Sequence, residues 1–106
     1  MDASQNATPT DVHDPRRLAA ATIVVPPHVV HRTLVEETVV LNLKTGTYHG
    51  MNVSGGRMLE LLQENGDFNE TVDRLVVEYN ETSAKMREDL SAFCGELLQH
   101  GLISLT

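Results

Sequence analysis

Short connections between three extended runs do most to limit how this chain can fold. From Val29 the sequence reads "VVHRTLVE", turns at Glu36-Glu37, and continues as "TVVLNL". "KTGT" then leads, through a glycine-containing turn, into Thr47-Tyr48-His49-Gly50-Met51. In the middle run Val39, Leu41 and Leu43 share one face and Val40, Asn42 and Lys44 the other, the alternation of a half-buried strand. Parallel strands need long crossovers, so two tight connections in succession predict an antiparallel meander.

After Asn52 the spacing of apolar residues changes from two to three and four. Asn52 can cap a helix through "VSGGRMLELLQEN", with Met58, Leu61 and Leu62 inward and Leu59 flanking. Gly55 and Gly56 near its start suit the close approach of another backbone, and Gly66 is placed to end it. Asp67 with Glu70 has the spacing of a capping box, and Phe68, Val72, Leu75, Val76 and Tyr79 form the second stripe. A third helix begins near Thr82 or Ser83. Its stripe is Met86, Leu90, Phe93, Cys94, Leu97 and Leu98, and Gly101 stops it before "LISL". The expected class is therefore α+β: a three-stranded antiparallel meander followed by three helices packed on one face of the sheet.

At 106 residues there is room for one small domain. The first 22 residues are rich in Ala, Thr, Asp and Pro without a sustained apolar period, so residues 1–22 read as a disordered arm, dispensable for binding, and residues 23–106 as the domain. The start lacks the basic and apolar segments of a signal peptide, and no stretch approaches the ~18 apolar residues of a membrane span. One cysteine, Cys94, excludes an internal disulfide and fits a cytoplasmic location.

The residues offer little chemistry. Of the five histidines, His28 and His31 are spaced to opposite faces of a strand, His13 lies in the arm, and His100 ends a helix. Without a CxxC, an HExxH or a clustered carboxylate set, neither a metal nor a cofactor is expected. Cys94 sits among Leu90, Phe93 and Leu97, a setting for an inert thiol. Fifteen acidic against eight basic side chains give a net charge of −7, a field that opposes nucleic acid. The expectation is a protein that is not an enzyme.

The third strand is the feature that needs a purpose. An edge strand carries unpaired N–H and C=O groups that invite another chain. Pro26-Pro27 guard the first strand, whereas the third has neither lysine nor proline. A peptide could add there as a further strand, with the third helix as a wall. The candidate peptide-binding residues are Thr47, Tyr48, His49, Gly50 and Met51 on the strand and Lys85, Met86, Asp89, Leu90 and Phe93 on the helix. Alternate residues of such a strand point their amides outward, and the sequence does not say which set.

"VVLNLKTGTYHGMNVSGGRMLELL" resembles the PqqD family in its strand, Thr-Gly turn at Thr45-Gly46, aromatic strand at Tyr48, Met51-Asn52 pair and glycine-containing helix start. "DLSAFCGELLQHGLI" is similar to the family's closing helix, with Leu90, Phe93, Cys94, Leu97 and Gly101-Leu102 at its apolar and terminating positions. His49 stands where an aromatic is common, and Met58-Leu59 replace the frequent Ile-Trp. The resemblance spans roughly Val25 to Leu105. It implies a winged helix-turn-helix-like recognition element for ribosomally made, post-translationally modified peptides. Such an element binds the leader segment of a precursor beside the third strand and presents it to a separate modifying enzyme or leader protease, with the lasso-peptide system the preferred setting.

Two other classes compete. A winged-helix DNA-binding regulator would need a basic recognition helix, and the third helix sets Glu88, Asp89 and Glu96 against Lys85 and Arg87. A self-pairing interaction module would use the same open edge.

Overall fold

The computed structural model describes residues 14–106. A short helix α1 (Pro15–Ala20) and a two-residue strand β1 (Ile23–Val24) precede the meander of β2 (Val29–Thr33), β3 (Glu37–Asn42) and β4 (Thr47–Asn52). Helices α2 (Val53–Asn65), α3 (Phe68–Tyr79) and α4 (Ser83–Gln99) follow, and β5 (Ser104–Leu105) closes the chain. The sheet is antiparallel and ordered β2-β3-β4, giving the α+β architecture that the connection lengths predict.

Local signals set most boundaries. Asn52 accepts from the Gly55 amide at 2.8 Å to start α2, and Gly66 ends that helix in the left-handed region at φ 68°. Thr82 caps α4 through the Lys85 amide at 3.1 Å. The Asp67–Glu70 capping box does not form: Asp67 makes no side-chain cap bond, and its amide instead donates to Asn65 Oδ1 at 2.7 Å. Tyr79 is largely exposed, so the α3 stripe is completed by Thr71, which is fully buried and bonded to the Asp67 carbonyl at 2.8 Å.

The inward face of β3 is Thr38, Val40 and Asn42, all buried, while Val39 and Leu41 are only half-buried and Leu43 is exposed. Two close contacts impose this less apolar choice. A β-carbon on Gly56 would lie 1.9 Å from Thr38 Oγ1, so α2 rests directly on β3 at a point where only a hydrogen fits. Asn42 folds its carboxamide into the following turn, accepting from the Lys44 amide at 2.9 Å.

The arm reading needs correction over its second half. Residues 1–13, with His13, lie outside the described residues, but Asp14 caps α1 by accepting from the Arg16 amide at 2.9 Å, and Leu18 is 0% exposed in the core. Pro at the first helical position suits this start. β1 then pairs with β5, Ile23 opposite Leu105 and Val24 opposite Ser104, and Thr22 and Thr106 exchange backbone bonds of 3.1 and 2.9 Å. A single apolar anchor such as Leu18 leaves no periodicity to read, which is why the sequence does not announce the helix.

Two substitutions test these contacts. Gly56→Ala should destabilise by ~1–3 kcal/mol in denaturant titrations, and Thr38→Ala in the same chain should recover part of the loss. Leu18→Ala should cost ~2–5 kcal/mol. An unchanged midpoint for the latter would return α1 to the arm.

Candidate functional site

The site is built on the free side of β4. Antiparallel pairing alternates residues that exchange two hydrogen bonds with residues that exchange none, so one known bond fixes the whole ladder. The Leu43 amide donates to the His28 carbonyl, and the Leu34 amide to the Glu37 carbonyl, both at 2.7 Å. Continued through the register of β2 on β3, these bonds turn the backbones of Glu37, Val39 and Leu41 toward β2. Thr38, Val40 and Asn42 therefore bond β4, at Met51, His49 and Thr47 respectively. The remaining residues, Tyr48 and Gly50, direct their N–H and C=O groups away from the sheet. No strand covers that side among the described residues.

The side chains divide by the same alternation. His49 and Met51 point with Val40 and Thr38 to the inner face and are half-buried, whereas Tyr48 points to the outer face and is 74% exposed. Gly50 carries no side chain, and Glu37 Oε1 lies beside it, 3.2 Å from where a β-carbon would stand. Thr47 is exposed beside the turn, its amide held by Thr45 Oγ1 at 3.3 Å.

Helix α4 supplies a wall. Gly55, at the start of α2, is the point where three elements meet: a β-carbon there would lie 3.3 Å from Phe93 Cε1 and 3.4 Å from Met51 Cβ. Phe93 is half-buried and so shows part of its ring beside β4. Met86 and Leu90 stand behind it, 7% and 0% exposed, with their side chains in the core, so they support the wall from within. Nearer the start of α4, Lys85 and Asp89 form an ion pair of 2.9 and 3.0 Å. Hydrogen bonding to Asp89 raises the Lys85 ammonium above its ordinary pKa, so that cation is already engaged.

At the other end stands a residue that the candidate set omitted. His100, the C-cap of α4, lies with its ring centroid 4.9 Å from that of His49, the two planes tilted by 49°. Phe93 and His100 are seven residues apart, two helical turns, and that spacing was the available signal.

Burial pushes the Cys94 thiol up to about 12, so it stays protonated and inert. Among the described residues no group of three or more His, Cys, Asp or Glu could hold a metal ion, and no helix is long and apolar enough to cross a membrane.

The edge assignment makes opposite predictions for adjacent residues. His49→Pro removes an amide bonded to Val40 and should lower the thermal midpoint strongly, whereas Tyr48→Pro removes only an outward amide and should keep most of the stability. Circular dichroism melts of the two variants decide it; equal losses would contradict the ladder.

Comparison with known proteins adds three findings. The family Coenzyme PQQ synthesis protein D (PqqD) matches residues 37–103, from β3 to the end of α4 and the turn beyond it. A solved structure described as TbiB1 in complex with the TbiA(beta) leader peptide is 32% identical, covering 76% of this chain and 93% of that one at a TM-score of 0.69. A second, a lasso peptide synthetase B1 complexed with the leader peptide, has a TM-score of 0.70 at 18% identity over 79% of this chain and 99% of that one, a likeness of fold. No curated protein matches the chain.

Proposed function

Because the chain belongs to the PqqD family, we propose that it binds the leader segment of a ribosomally made precursor peptide and presents the precursor to a separate modifying enzyme or leader protease, in lasso-peptide biosynthesis. The observation that carries this reading is the bare edge of β4, where Tyr48 and Gly50 offer unpaired backbone groups beside a half-exposed Phe93. A leader strand added there gains main-chain hydrogen bonds from those two residues, while its alternate side chains enter the space between β4 and α4. The similar TbiB1 structure holds a leader peptide, which supports the same role here. The domain does no chemistry of its own in this reading. It raises the local concentration of the core segment around the partner that acts on it.

The basic residues of α4 weigh against the DNA-binding alternative. Arg87 lies 5.5 Å over the Phe68 ring and donates to Asn69 Oδ1 at 3.1 Å, and Lys85 is paired with Asp89. A groove-reading helix needs such groups free for phosphate and base edges.

Titration of the isotope-labelled chain with the leader of a precursor encoded beside it tests the proposal. The Tyr48 and Gly50 amides should shift most, and Tyr48→Pro should abolish binding in a chain that still melts cooperatively. Shifts confined to β2, or normal binding by the folded Tyr48→Pro variant, would remove β4 as the docking edge.

A further inference from the structure

The space between β4 and α4 is not uniform along its length. A strand added beside β4 places alternate side chains on the inner face, one level with Met51 and the next with His49. The first meets the partly buried Met51 and Phe93, two apolar side chains that come together over Gly55. The second meets the His49 and His100 rings, 4.9 Å apart. Resting on the leader-docking reading, we propose that His49 and His100 form a subsite for an acidic side chain of the docked strand, next but one to an apolar anchor.

Three observations support the carboxylate. Both rings lack an acidic partner, since no carboxylate of the described residues lies within ion-pair distance of either. Glu96, one turn before His100 and exposed, gives it only a backbone bond, the His100 amide donating to the Glu96 carbonyl at 3.1 Å. Second, His100 ends a 17-residue helix with its side chain exposed beside His49, so the ring is open to an incoming group. A carboxylate bridging the edges of the two imidazoles can accept an N–H from each. Third, a net charge of −7 sets an overall field in which an acidic side chain needs a local hydrogen-bond donor to be favoured. An acid tolerated at one position and resisted at the others fixes the register of an otherwise sliding strand, which apolar contacts alone do poorly.

The His49 backbone is held by the ladder to Val40, and His100 is the half of the pair that the helix end supplies. Asp89, at the far end of the wall, is acidic and already bonded to Lys85. The resulting pattern is directional: an acid toward the turn end of β4 and an apolar residue toward the α2 end.

Selection of short random peptides displayed against the full chain tests this. Selected sequences should carry Asp or Glu at one position and an apolar residue two positions away. Changing that acid to its amide in a synthetic peptide should weaken binding to the wild-type chain about fivefold, and to the folded His49→Gln/His100→Gln variant by no more than about twofold. Absence of the acid from the selected set overturns the subsite, as does an equal loss on both proteins, while leaving strand docking intact. If the folded Tyr48→Pro chain selects the same peptides, docking at β4 is wrong and the subsite falls with it. Should the double variant not fold, His100→Gln alone, at an exposed position, carries the comparison.

Discussion

One contact sets the spacing of everything else: the backbone of α2 lies against β3 at Gly56, where Thr38 fills the room that any side chain would need. Sheet and helix ordinarily keep their axes about 10 Å apart because side chains stand between them. Removing the side chain on one partner brings α2 down onto the sheet. That descent carries Gly55, one residue earlier, to the corner where Met51 and Phe93 meet. The distance between β4 and α4 is thus determined by a glycine on a third element.

The division of β4 into two residue sets follows from a different constraint. Each residue of an edge strand can serve either the ladder or a newcomer, never both, because its N–H and C=O point the same way. Here the residues that hold the sheet also aim their side chains inward, while the residues free to accept a newcomer aim theirs outward. Stability and recognition are therefore carried by different positions of the same strand. Specificity falls to the inward set, since an added strand places its own inward side chains beside theirs.

The helices were legible because their signals are local. Asn52, Gly66 and Thr82 each act within a turn of their own position, and the stripe from Met58 to Leu62 needs no knowledge of its neighbours. The three-stranded order was legible from connection length alone. The polar-looking inner face of β3 was not, because choosing Thr38 over Val39 requires knowing that Gly56 arrives opposite it. Nor was α1: one buried leucine and a capping aspartate in six helical residues fall below any periodic pattern. Phe93 and Met51 were legible as neighbours of the free edge of β4. Met86 and Leu90 belong to the core instead, and His100 was passed over as a helix end although it shares a stripe with Phe93.

The ribbon of β1 and β5 joins residues from opposite ends of the described chain, with Thr22 and Thr106 bonded reciprocally. Of all the pairings in the fold it closes the longest loop, and loop-closure entropy makes such a contact late to form and early to open. The meander, by contrast, pairs near neighbours and gains its bonds at little entropic cost. Native-state hydrogen exchange would therefore divide the molecule unequally, the clasp exchanging by small openings that leave β3 protected. The free edge of β4 lies in the locally paired meander, so its geometry does not rest on the clasp of β1 and β5.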